Sequence, residues 1–175
     1  LLGRMTLDEK VRQMGTLESR DCTRGEKFSE SLARKCLKGT GIGGLVDPRF
    51  DPVKSARAIN AIQRYLKKQT RLGIPAFIIG ECLHGHESPK STIFPIPPGL
   101  GSTWEPALVR EMASVSAKET RLVGVNQALS PVLDLGREPR WGRIDEAYSE
   151  DPYLCSRLGV AFVKGLQGEN PVLDD

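Results

Sequence analysis

The sequence predicts an α/β fold in which parallel strands alternate with helices, and three observations carry that prediction. Residues 74–79, Ile-Pro-Ala-Phe-Ile-Ile, form an unbroken apolar run between Gly73 and Gly80. Such a short run bounded by glycines reads as a strand buried on both faces. An amphipathic segment from Pro52 to Gly73 precedes it, with Ala58, Ile62 and Tyr65 on one stripe and Ile59 and Leu66 beside it. A second apolar run, Ala128 to Leu133, follows after another helical segment that starts at Pro106. Strands joined through helices cross over and therefore lie parallel. A doubly wound sheet and a TIM barrel both satisfy this pattern.

Each element has its own local reason. Thr6-Leu7-Asp8-Glu9 reads as a capping box, with Leu7, Val11 and Met14 following at helical spacing. Residues 15–28 are polar and irregular and read as a loop. Residues 29–38 read as a helix closed by Gly39, and Gly43 to Val46 as a short strand that ends at Asp47-Pro48. Lys67, Lys68 and Arg71 lie near the end of the 52–73 helix, where cations suit its dipole. Residues 85–103 are rich in Pro, Gly and Ser and read as a loop. Pro106 takes the first helical position of a segment striped by Leu108, Met112, Val115 and Leu122. Residues 134–150 read as a long polar loop, and Asp151-Pro152 opens a last helix carrying Leu154, Leu158 and Ala161. No internal repeat, low-complexity tract or linker divides the chain, so 1–175 reads as a single domain.

The composition, 39% hydrophobic and 27% charged over 175 residues, is that of an ordinary globular chain. A net charge of +3, scattered along the sequence, argues against nucleic acid or an anionic membrane as partner. No apolar run approaches the roughly 20 residues a membrane-spanning helix needs. No signal peptide is visible; the chain opens on Leu1 rather than Met, so its natural start is expected to lie upstream. Cys22, Cys36, Cys82 and Cys155 form no CxxC pair and read as reduced thiols.

Three segments carry candidate chemistry. Gly39-Thr40-Gly41-Ile42-Gly43-Gly44 matches GxGxxG literally, but a helix precedes it and a strand follows. That is the reverse of a dinucleotide fingerprint, so it reads as a helix cap and tight turn. Glu81-Cys82-Leu83-His84-Gly85-His86-Glu87 directly follows the strongest strand, and ligands bind at the C-terminal ends of parallel strands. Glu81 could face a polar substrate, or His84 and His86 could hold a metal with Glu81 or Glu87. Arg137-Glu138-Pro139-Arg140-Trp141-Gly142-Arg143 follows the next strand. It could present a guanidinium beside a flat sugar face, or form ion pairs with Asp134, Glu138, Asp145, Glu146, Glu150 and Asp151. No GxSxG motif and no Walker loop occurs.

At these two loops the sequence resembles glycoside hydrolase family 3, the β-glucosidases and β-xylosidases, and the likeness runs nearly end to end. The blocks are LLGRMTLDEKVRQM at 1–14, GIGGLVDP at 41–48, RLGIPAFIIGECLHGHES at 71–88, and the stretch from Gly124 to Leu154 with its Pro-Arg-Trp-Gly-Arg run. The resemblance implies a partial TIM barrel of the (β/α)8 type, with Val11 to Met14 on its first strand. It implies retaining, exo-acting hydrolysis of β-linked glucosyl or xylosyl units. Glu81 matches a carboxylate that accepts sugar hydroxyls, and Arg143 an arginine that donates to the same sugar. His84, Gly85 and Trp141 match supporting positions. Glu rather than Asp at 81 leans toward β-xylosidases. The family's Lys-His and Ser-Asp motifs are absent, so its nucleophile and acid/base are expected beyond Asp175, and the isolated chain is expected to be inactive. A noncatalytic sugar-binding remnant is the alternative, with a metal-dependent hydrolase behind it. The implied partner is a small carbohydrate, with no cofactor and no metal.

Overall fold

The computed structural model describes residues 1–168; residues 169–175, the tail of the 1–175 domain expected from sequence, lie outside the described residues. The strands are β1 (Thr16–Glu18), β2 (Thr23–Arg24), β3 (Lys27–Phe28), β4 (Gly44–Val46), β5 (Phe77–Gly80) and β6 (Gln127–Ala128). The α-helices are α1 (Leu7–Gln13), α2 (Glu30–Leu37), α3 (Pro52–Gln69), α4 (Pro97–Gly101), α5 (Pro106–Leu122) and α6 (Pro152–Gln167). The chain gathers into two compact units: Leu1–Gly80 with Ser88–Lys90 and Arg121–Ala128, and Glu81–Glu87 with Ser91–Thr120 and Leu129 onward.

The first unit holds a four-stranded sheet in the order β1-β4-β5-β6, every pair parallel. The strands run in sequence order, without the reversal that defines a doubly wound sheet. This winding resolves what the sequence left open: it is that of a (β/α) barrel, here not closed. Register pairs Leu45 with Leu17 and Ile78, which places one apolar row across three strands. Leu45, Ile78, Ile59, Ile62, Leu66, Leu37 and Val125 are buried in one core. α3 enters that core along its expected stripe of Ala58, Ile59, Ile62, Tyr65 and Leu66. Asp51 caps α3 by accepting from Val53 N, with proline in the first turn.

The capping box at Thr6 is complete: Glu9 N donates to Thr6 Oγ1 at 3.3 Å, and Thr6 N donates to Glu9 Oε2 at 2.8 Å. Glu9 is 2% exposed and also accepts from Arg71 Nε at 2.8 Å. Arg71 and the Thr6 amide draw its carboxyl down to about 2 from 4.5. Gly43 explains the glycine cluster before β4, since a Cβ there would sit 1.9 Å from the Gln13 carbonyl oxygen.

The second unit packs α4, α5 and α6 around Leu100, Val109, Met112, Ala113, Tyr148, Leu154, Leu158 and Phe162. Asp151 caps α6 by accepting from Leu154 N at 2.7 Å.

Several expectations are corrected. Val11 to Met14 is not the first strand: the helix read from the capping box runs on to Gln13, and the strand is Thr16–Glu18. Residues 15–28 are not an irregular loop, because β1 pairs with β4 and the β2–β3 pair is antiparallel. The left-handed turn closing α2 starts at Lys38, φ 51°, one residue before Gly39. In the apolar run at 74–79 the strand begins only at Phe77, whose side chain is 62% exposed while Ile78 and Ile79 are buried. Ile79 shares Phe77's face, so the exposure marks the strand's uncovered start rather than an open face. The 128–133 run pairs only at Gln127–Ala128, and Leu129 and Leu133 are about half exposed. α5 buries Val109, Met112, Ala113, Ser116 and Thr120, while Leu108 and Leu122 face outward. Pro97–Gly101 is a short helix inside the expected 85–103 loop.

Candidate functional site

Glu81 is the first residue after β5, and the loop it opens is shaped by backbone. Glu87 N donates to Glu81 O at 3.2 Å, and Cys82 N donates to Ser130 Oγ at 3.2 Å. Phe94 N donates to His84 O at 2.7 Å, and His84 Nδ1 lies 3.0 Å from Phe94 O. A carbonyl can only accept, so Nδ1 carries the proton and Nε2 is left as an acceptor when the ring is neutral. Gly85 sits beside this clamp at φ +123°, and a Cβ there would lie 2.1 Å from the Thr92 carbonyl oxygen. Only glycine fits, which ties Gly85 to the loop's path and His84 to its anchoring.

The arginine-rich loop is built by consecutive turns. Trp141 N donates to Glu138 O at 3.0 Å, and Ile144 N to Trp141 O at 3.2 Å. Trp141 is half-buried, and Arg143 precedes a short 3₁₀ turn, Ile144–Glu146. Glu146 N closes that turn by donating to Arg143 O at 3.1 Å, which brings the Glu146 side chain back onto the arginine. Arg143 Nε donates to Glu146 Oε1 at 2.8 Å and Nη2 to Oε2 at 2.5 Å, a two-pronged pair. Arg140 pairs likewise with Glu138, and Arg137 Nε donates to the Glu150 carbonyl at 3.2 Å. Two of the three arginines thus join ion pairs with acids of their own loop, as the bland reading of this run had it.

Arg143 and Glu81 belong to the same unit. The Glu146 carboxylate holds the Arg143 proton more firmly than usual, and Asp134 and Glu81 add to that field. Glu146 in turn is held below the ordinary carboxylate range by Arg143. Nε and one Nη2 proton are engaged, so the outer edge of the guanidinium stays available, and the side chain is 60% exposed. One unit therefore holds a carboxyl side chain and a braced donor fork, a combination that suits a ligand with adjacent hydroxyls. The composition of the loop named Glu146 and Asp134 only as members of an ion-pair network; the Glu-three-after-Arg spacing was the signal for the brace.

His86 is buried at 1% exposure, the His84 ring is turned to the Phe94 carbonyl, and among the described residues no three His, Cys, Asp or Glu side chains gather as a metal site. Cys22, Cys82 and Cys155 are buried cysteines outside any disulfide, and Cys36 is half-buried.

Comparison with known proteins gives the family. A β-xylosidase of Formosa agariphila is 48% identical over 56% of this chain and 14% of its own length. A periplasmic β-glucosidase of Salmonella typhimurium is 34% identical over 98% of this chain and 20% of its own length. The solved structure of a β-glucosidase from Erythrobacter marinus superposes with a TM-score of 0.85 at 33% identity, covering 96% of this chain and 22% of that one. The chain thus spans less than a quarter of the length of these relatives. Residues 6–174 match the glycosyl hydrolase family 3 N terminal domain, and the chain belongs to that family.

Proposed function

We propose that the polypeptide carrying this chain is a retaining, exo-acting β-glycosidase that releases glucosyl or xylosyl units from non-reducing ends, and that this segment supplies the grip on the sugar. The observation that supports it is that Glu81, after β5, and Arg143, in the loop after β6, lie in one compact unit, close enough for the Glu81 charge to add to the field on Arg143. An ionised Glu81 accepts two hydroxyl donors, and the edge of Arg143 not held by Glu146 donates to a third oxygen. Fixing the ring from two sides is a positioning contribution, which lowers the barrier by holding the anomeric carbon in place. Trp141 and His84 hold the two loops, and Gly85 lets the first one turn. Retaining hydrolysis needs two carboxyl groups about 5 Å apart as nucleophile and acid/base. In this reading both come from residues beyond Asp175. The longer reach of Glu compared with Asp at 81 occupies space that a hydroxymethyl group needs, which favours xylosides over glucosides.

Aryl β-xylosides and β-glucosides assayed with the full polypeptide test this directly. Turnover of at least one is expected, and turnover of neither overturns the reading. Arg143→Ala should lower kcat/KM by roughly tenfold or more, the worth of one charge-assisted hydrogen bond. An unchanged kcat/KM removes Arg143 from the site.

A further inference from the structure

An open cavity of about 480 Å³ lies wholly in the first unit and is lined by Arg20, Thr23, Glu26, Arg49, Phe50 and Asp51, among others. That volume is within the roughly 300–1,000 Å³ range of small-ligand sites. Arg20 and Thr23 follow β1, and Arg49 to Asp51 follow β4, so the cavity opens at C-terminal strand ends, where parallel-stranded folds bind ligands.

Its charges do not cancel. Asp51 is paired with Lys90 at 2.5 Å, and Glu26 is paired with Lys54. The two arginines have no acid of their own. Arg20 Nε donates to the Pro48 carbonyl at 2.6 Å, and its guanidinium lies 5.5 Å from the centre of the Phe50 ring. This fixes the group and leaves its terminal nitrogens unspent. Arg49 is exposed and makes no hydrogen bond or ion pair with any described residue. Its backbone is left-handed, φ 53°, a conformation that a long side chain seldom adopts. The surroundings enforce it. Phe50 N donates to Ser55 Oγ at 3.0 Å, and Ser88 Oγ donates to Phe50 O at 3.0 Å, so the chain cannot relax around Arg49 without breaking both.

We infer that this cavity is a binding site for an anionic saccharide, one bearing a carboxylate or sulfate on the ring, with Arg49 and Arg20 as its anion-recognising pair. Two guanidiniums, one braced and one unpartnered, match a planar or tetrahedral oxyanion. The choice of a sugar as carrier rests on the glycosidase reading; the choice of an anion rests on the two arginines alone.

Calorimetric titration of the full polypeptide with methyl β-D-glucuronide, the 6-sulfate of methyl β-D-glucoside, neutral methyl β-D-glucoside and inorganic sulfate tests it. Arg49→Gly is the informative variant, because glycine accepts the left-handed backbone and so removes the guanidinium without straining the fold. At least one anionic glycoside should bind more tightly than the neutral one, and which does so assigns the carboxylate or the sulfate. In Arg49→Gly that preference should fall by roughly tenfold or more. Hydrolysis of neutral aryl glycosides should be unchanged. No preference for either anionic glycoside, or a preference that survives Arg49→Gly, overturns the inference. Inorganic sulfate binding as tightly as either anionic glycoside overturns the saccharide part. Loss of the glycosidase reading shows separately, as wild-type protein that turns over no neutral glycoside while keeping Arg49-dependent binding.

Discussion

Replacing Gly85 with alanine should damage the Glu81 loop more than the fold as a whole. The added Cβ would sit 2.1 Å from the Thr92 carbonyl oxygen, more than 1 Å inside ordinary contact, at a residue whose φ is +123°. Enduring both faults costs about 2–6 kcal/mol: about 1–3 for overpacking and about 1–3 for the backbone. Easing the contact by moving Thr92 breaks its two hydrogen bonds to Glu119 as well as the two that tie His84 to Phe94, at about 0.5–1.5 kcal/mol each, and leaves the backbone fault at 85 in place. Gly85→Ala should therefore cost at least about 2 kcal/mol while displacing His84 and the segment that begins at Glu81. Urea unfolding gives the stability change, and sugar affinity of the full polypeptide gives the local one. Gly142→Ala is the control, because nothing lies within 4 Å of a Cβ there; it should stay within about 0.5 kcal/mol. Gly85→Ala as mild as Gly142→Ala, with unchanged affinity, would refute the assignment of Gly85 to the loop's path.

Other consequences follow from single contacts. Thr6→Ala removes half of the capping box and should cost about 1 kcal/mol in thermal or urea unfolding. Glu9 is held down at about 2 in the folded chain, from an ordinary 4.5, so its ionised form stabilises the fold. That stabilisation is full above about pH 4.5 and lost as pH falls toward 2; acid titration of Glu9→Gln should show a shallower loss across that window. Phe162→Ala opens the core of the second unit at a fully buried position and should cost about 3–5 kcal/mol. A loss under about 1 kcal/mol in that variant would mean α6 is not packed as described.

What the sequence made legible was whatever local chemistry decides. Asp151-Pro152 announced α6, because an acid cap followed by proline satisfies the first helical amides within a few residues. The α3 stripe was legible because its buried face is apolar throughout except Ser55. β1 was not, since Thr16-Leu17-Glu18 is short and half polar, and only pairing with β4 makes it a strand. The buried face of α5 was misread for a related reason. Ser116 and Thr120 lie inside by returning their hydroxyls to the Met112 and Ser116 carbonyls, so polarity there does not signal exposure. At the site, Glu81 followed from its place after the strongest strand. Which acid would hold Arg143 did not follow, because the 3₁₀ turn at 144–146 selects Glu146 from several candidates.

A crystal structure of the full polypeptide with xylose or glucose bound tests the shared grip of Glu81 and Arg143 most directly. Both side chains should lie within about 3.2 Å of oxygens on one pyranose ring, with Glu146 still seated on Arg143. A sugar held at the reaction centre with either side chain turned away from it would contradict the shared grip.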